Sequence, residues 1–305
     1  MSILFKQIVW ERIIVPLVRI HIMPDIANSP TDQEEKEMSF VEHLEELRIH
    51  LIRIAISVCV AAVFIFFATK SIFTKVIFGP LNEDFLTYKL MCQLSHWLEM
   101  GDKMCYSPTA INLVTLEMGE AFLLHIKVCI FGGLIVSFPF VLWEFWKFIK
   151  PGLYPKEQKA ANGVVVVSSL LFLMGISFGY FILAPFAINF LVGYELPMIN
   201  AADNGNLIKA TSLINYMIMF TVPVGIIFEM PIIVFYLSKM GLVTDSFMRE
   251  YRRHAIVLIL VVAAFVTPPD VMTQIIIGIP IYILYELSIH IAAKQTKKRA
   301  DEMNN

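Results

Sequence analysis

One carboxylate, Glu229, stands alone among uncharged residues from Ala210 to Ser238. At 1.5 Å per helical residue it lies about 14 Å from Ser238, deep in a bilayer, where an ionisable group costs several kcal/mol unless paired or hydrated. Pro223 and Pro231 flank it. Each removes a backbone donor and leaves carbonyls that water or a partner must satisfy. A protonated, hydrogen-bonded structural Glu is one reading; a polar spot facing a water-filled cavity or a partner helix is the favoured one. Arg53, Lys127, Glu144 and Glu286 also fall in apolar runs, within a turn or two of their ends, and are expected to snorkel to the interface.

A second group of ionisable residues precedes the first apolar run. At helical spacing His43, Glu46, His50 and Arg53 share one stripe and Leu44, Leu47 and Leu51 another, which predicts an amphipathic entry into the membrane. His43 and His50 are too far apart, and without further His or Cys, to read as a metal site. A third group is the run from Phe148 to Glu157, where Pro151-Gly152 breaks a helix and Glu157 sits among lysines. Glu46 and Glu157 thus give two carboxylates on one side of the membrane. On spacing alone they are solvated surface groups; as a pair they also suit a ligand carrying guanidinium groups, because Arg binds carboxylate bidentately. No nucleophile–base set, metal-ligand set or phosphate-cradling Gly loop is visible, so neither an enzyme nor a cofactor is expected.

These groups need helices in lipid to position them. Of 305 residues, 57% are hydrophobic and 16% charged, with a mean hydropathy of +0.70, too apolar for a soluble domain. The 24 basic and 26 acidic residues exclude a nucleic-acid surface driven by excess positive charge. About six runs are long or apolar enough to be spans: 49–69, 121–146, 160–185, 212–238, 254–269 and 271–291. Pro185 is expected to end the third. The fifth is short: 15 residues between His254 and Asp270, about 22 Å against a hydrocarbon core of about 30 Å. A tight hairpin through Thr267-Pro268-Pro269-Asp270 should join it to the sixth and thin the bilayer there.

Basic residues alternate between connections. Lys147, Lys150, Lys156 and Lys159 follow span 2; Lys239, Arg249, Arg252 and Arg253 follow span 4; Lys294, Lys297, Lys298 and Arg299 follow span 6. By the positive-inside rule both termini are predicted cytoplasmic. Cys59 and Cys129 fall in spans and read as small hydrophobes, whereas Cys92 and Cys105 lie in the first outer loop, where an oxidising compartment would bond them. Residues 1–37 form an N-terminal extension, either an amphipathic surface helix or an over-long gene prediction, since MSFVEHLEELR from Met38 resembles a natural start. The membrane domain is 38–293 and a polar cytoplasmic tail 294–305.

Five stretches in register, HLEELR (His43 to Arg48), FGPL (Phe78 to Leu81), FIKPGLYPKE (Phe148 to Glu157), FEMP (Phe228 to Pro231) and TPPDVMTQ (Thr267 to Gln274), resemble the TatC family, the signal-recognising core of the twin-arginine protein translocase. The resemblance covers about residues 38–295 and implies an all-α polytopic fold, six transmembrane helices in a cupped, concave bundle with short helices 5 and 6. It further implies that Glu157 and Glu46 bind the signal peptide, with Arg48 and Phe148 in the surrounding patch. By the same resemblance Glu229 lines the cupped bundle, and Pro80, Asp270 and Gln274 match family positions of less defined role. Implied partners are Arg-Arg signal peptides of folded cargo, single-span TatA- and TatB-type subunits, membrane lipid and further copies of the chain; the implied energy source is the proton gradient, and the implied location the bacterial inner membrane. Two departures are His50 and Gln158, where the family usually has basic residues, and the stretch from Cys92 to Cys105 looks like an insertion. A proton-coupled small-solute transporter titrating Glu229 is the alternative; a membrane hydrolase lacks a second group at that depth.

Overall fold

The computed structural model describes residues 40–97, 99, 101–105, 111–149, 161–193, 207–266 and 271–303. The N-terminal extension, the loops holding Glu157 and Asp270, and the predicted 267–270 hairpin lie outside them. Contacts divide the chain into Met1–His43 and Leu44–Asn305, and of the first unit only the opening turn of α1 is described. Helices follow the apolar runs: α1 (Phe40–Phe67), the short α2 (Thr69–Ile72), α3 (Leu86–Trp97), α4 (Glu120–Ile149), α5 (Ala161–Phe178) and α6 (Ala184–Gly193). After these come α7 (Ala210–Ile227), α8 (Met230–Lys239), α9 (Asp245–Glu250), α10 (Arg252–Val266) and α11 (Val271–Met303).

Among the described residues, five segments are long and apolar enough to cross a membrane: 44–67, 120–149, 163–193, 210–239 and 273–299. The predicted fifth span is α10, with 15 residues, about 22 Å of helix. The expectation that the sixth helix is short is overturned, because α11 runs 33 residues. Nothing stops it: Ala292, Ala293, Lys294, Gln295, Lys297, Lys298 and Arg299 include strong helix formers and neither Gly nor Pro, so the polar tail continues the helix.

Pro185 does not end the third span. A π-helical turn at Gly179–Leu183 carries α5 into α6 through it. Pro185 has no N–H for the carbonyl four residues back, Phe181 O, and the Thr87 hydroxyl of α3 donates to that carbonyl instead. A loop helix thus supplies the bond that the proline removes. A second departure from the all-α expectation is a two-stranded parallel ladder, β1 (Asn112–Val114) with β2 (Leu207–Lys209), in register Asn112↔Leu207 and Val114↔Lys209. Three residues a side are too few for an alternating pattern to be read. Lys209 Nζ donates to Glu117 Oε1 at 2.7 Å beside the ladder, and that carboxylate pushes the Lys209 pKa up.

Burial is uneven. Half of the most apolar 18 residues of the 210–239 span are buried against 6% of those of 44–67, so the core lies among the later helices, around Leu183, Phe220, Val224, Ile277 and Ile289. Cys129 is buried but Cys59, on α1, is exposed and does not act as a core residue.

Cys92 and Cys105 are disulfide-bonded, 13 residues apart. Closing a loop of this length contributes about 3 kcal/mol by limiting the open chain. The expected result of Cys92→Ser is faster amide hydrogen exchange over residues 86–105, matched by wild-type protein in reductant. Equal exchange in all three samples would show that the bond does not order the loop.

Candidate functional site

Glu229 sits where the fourth span breaks, between the end of α7 at Ile227 and the start of α8 at Met230. Pro231 cannot donate to the preceding turn, and Ile232 N and Ile233 N both bond to Glu229 O, restarting the helix. The break turns the Glu229 side chain inward, where the residue is 7% exposed. Ser168 of α5 donates its hydroxyl to Glu229 Oε2, while Oε1 is buried with no partner among the described residues. A buried acceptor left open costs about 1–3 kcal/mol unless something outside the chain fills it. Ser168 carries no signal in the sequence that would have paired it with Glu229, 61 residues away.

At the N-terminal end of α1 the stripe expected from the sequence is present. Glu46 is half-buried and its Oε2 is buried without a partner among the described residues. One turn on, His50 is buried, its Nδ1 2.6 Å from Oε2 of Glu144 on α4, and its ring meets Phe148 edge-on at 6.1 Å. Glu144 does not snorkel. It is 2% exposed and gathers cations, with Arg53 Nη1 3.6 Å and Lys147 Nζ 3.1 Å away. Lys147 also lies over the Trp143 ring, 3.6 Å from its centre. Sequence reasoning missed this cluster because His50 and Glu144 are 94 residues apart.

The other candidates are dispersed. Arg48 is exposed beside Glu46, and Phe148 is half-buried at the end of α4; Glu157 lies outside the described residues. Pro80 is fully buried in a single tight turn, Gly79–Leu81. Its carbonyl accepts from Tyr88 Oη at 2.9 Å, and burial pushes the Tyr88 hydroxyl pKa up. Gln274 donates from Nε2 to Leu260 O at 3.1 Å, tying α11 to α10. Of the remaining groups expected to snorkel, Lys127 Nζ donates to Asn215 Oδ1 at 2.8 Å, and Glu286 accepts from Arg252 at 2.8 Å and from Tyr282 Oη at 3.0 Å.

Cys92, His96, Asp102 and Cys105 place one potential metal-ligating atom each within 4.8 Å of one another. Both sulfurs are spent in the disulfide, which leaves His96 Nε2 and Asp102 Oδ1, 3.4 Å apart, as an exposed pair. Two ligands do not make a zinc site. An apolar cavity of about 730 Å³ opens between α1, α4, α5 and α7, lined among others by Ile65, Phe131, Ile176 and Met217, with Lys75 and Asp84 at one end.

The chain and its fold have known counterparts. Residues 42–280 match the family model described as Sec-independent protein translocase protein (TatC). The chain belongs to the TatC family. It is 34% identical over 267 residues to the TatC of Blattabacterium sp. subsp. Periplaneta americana, covering 87% of this chain and 99% of that one. With the TatC of Aquifex aeolicus it shares 32% over 264 residues, 87% of this chain and 98% of the other. Its structure is similar to the crystal structure titled Twin Arginine Translocase Receptor TatC, with a TM-score of 0.63, 31% identity, and coverage of 84% and 100%. As a TatC family member the chain is a multi-pass membrane subunit of the Sec-independent protein translocase. That identity displaces the solute-transporter alternative. The matched range contains Glu46, Glu144, Glu157, Glu229 and Gln274.

Proposed function

We propose that this subunit is the receptor for Arg-Arg signal peptides, a non-enzymatic one, with both termini in the cytoplasm. Glu46 and Glu157 take the two guanidinium groups at the cytoplasmic end of the bundle, with Arg48 and Phe148 in the patch around them. The observation that carries this reading is the buried Oε2 of Glu46, which has no partner among the described residues and lies one turn before His50, whose ring meets Phe148 of α4. A carboxylate left open in that position has unsatisfied capacity for a cationic donor, and guanidinium fills it with two parallel bonds where ammonium makes one. The apolar part of the signal occupies the cavity between α1, α4, α5 and α7, whose walls are mostly aliphatic and aromatic. TatA- and TatB-type single-span helices dock near Glu229, whose free oxygen offers them a polar contact in lipid. The short α10 thins the bilayer beside the cargo path. The homo-oligomer and the cupped bundle implied by the resemblance belong to this reading, and transport draws on the proton gradient.

The test is binding of a synthetic Arg-Arg signal peptide and its Lys-Lys twin to the detergent-purified protein and to Glu46→Ala and Glu157→Ala. Arg-selective binding that weakens by about 10- to 100-fold in each variant is expected, the effect of losing a charge-assisted bond of about 1.5–3 kcal/mol. Equal binding of the two peptides, or indifference to both glutamates, would remove the receptor assignment.

A further inference from the structure

We infer that Glu144 is a positioning residue for signal recognition: by drawing His50 and Arg53 of α1 toward α4, it keeps the Glu46 carboxylate open. This rests on the receptor reading and adds a residue to it. Glu46, His50 and Arg53 occupy one stripe of α1, and Glu46 stands four residues before His50, the spacing and order at which a carboxylate and a cationic or hydrogen-donating side chain pair best on a helix. Left to themselves, Glu46 and His50 would meet. In the structure they do not. His50 Nδ1 faces Glu144 Oε2 at 2.6 Å and Arg53 Nη1 approaches the same oxygen at 3.6 Å, while Glu46 Oε2 has no partner among the described residues.

Glu144 outcompetes Glu46 for a physical reason. Its carboxylate is almost wholly withdrawn from water, so its attraction for cations is little screened, whereas Glu46 is half-buried. Lys147 takes the other Glu144 oxygen at 3.1 Å and is pinned over Trp143, so both oxygens are occupied. The His50 ring, once turned toward α4, also sets the edge contact with Phe148, which places two elements of the recognition patch together. Drawn aside in this way, the His50 ring leaves the space beside Glu46 open where guanidinium must enter.

The distinguishing experiment is an epistasis measurement on Arg-Arg peptide affinity in the purified full chain. Glu144→Leu frees His50 to close on Glu46, and affinity is expected to fall about tenfold, the loss of one charge-assisted hydrogen bond. Adding His50→Leu removes the competitor and replaces a buried polar pair by apolar side chains, an exchange proteins often tolerate. The double variant should therefore bind within about threefold of wild type. A purely structural Glu144 predicts the opposite, that the second substitution adds a second defect. Gel-filtration profile and melting temperature monitor folding, and Glu144→Met, which is close to Glu in size and offers His50 no carboxylate, replaces Glu144→Leu if the latter does not purify. Unchanged affinity in the Glu144 variants, or a loss not regained in the double variant, overturns the inference. If wild-type protein itself shows no Arg selectivity or no dependence on Glu46, it is the receptor reading that fails.

Discussion

Gly179→Leu is expected to destabilise the protein by about 3 kcal/mol or more, the upper range for forcing volume into a packed core. A Cβ at Gly179 would stand 2.4 Å from Phe220 O and 2.9 Å from Thr221 Cα, both backbone atoms of α7 that no rotamer change can move. One turn earlier a Cβ at Gly175 would lie 2.8 Å from the Cα of Gly225. The two helices therefore touch backbone to backbone along a small-residue stripe, the usual means of close helix association where lipid offers no hydrophobic drive. Thermal unfolding in detergent would measure the loss. Gly193→Ala, where nothing among the described residues lies within 4 Å, is the control and should melt with wild type. A Gly179→Leu protein that also melts with wild type would mean that the crossing is looser than the structure has it.

At Glu229 the expected effect is on assembly. Glu229→Leu should reduce crosslinking of a TatA-type helix to the α7–α8 break by about tenfold, since an interhelical polar contact in lipid contributes about 1–2 kcal/mol. Export of Arg-Arg cargo should fall with it. Glu229→Gln keeps an acceptor for Ser168 and a second polar group in place of the unheld oxygen, and should lose less. Ser168→Ala leaves the carboxylate in place with neither oxygen held among the described residues, so it tests orientation apart from charge. If Glu229→Leu left both crosslinking and export at wild-type levels, the free oxygen would have no partner to serve and the docking step would be wrong.

What could be read from the chain beforehand was whatever depends on runs of one character. The spans appear as charge-free stretches, the shortness of α10 follows from counting residues between His254 and Asp270, and Glu229 is conspicuous because it is alone. What could not be read depends on partners distant in sequence. Pro185 looked like a helix end because the hydroxyl that relieves it belongs to Thr87, and Glu144 looked like an interfacial group because two of its partners, His50 and Arg53, come from α1. Arg53 and His50 carry no mark of that pairing in their own neighbourhood. The Gly175–Gly179 spacing was visible and is the one signal of the helix crossing that the sequence offered.

The slight burial of α1 also bears on how the chain enters the membrane. A helix that finds so little of its surroundings in protein can wait in lipid by itself as soon as it is made, its backbone bonds all internal. The 210–239 segment is in the opposite situation, carrying a carboxylate and two prolines at depth. The Ser168 hydroxyl and the glycines of α5 that receive it have by then already been synthesised. The order of the genetic message thus lays down the acceptor surface before the helix that cannot be left alone in lipid.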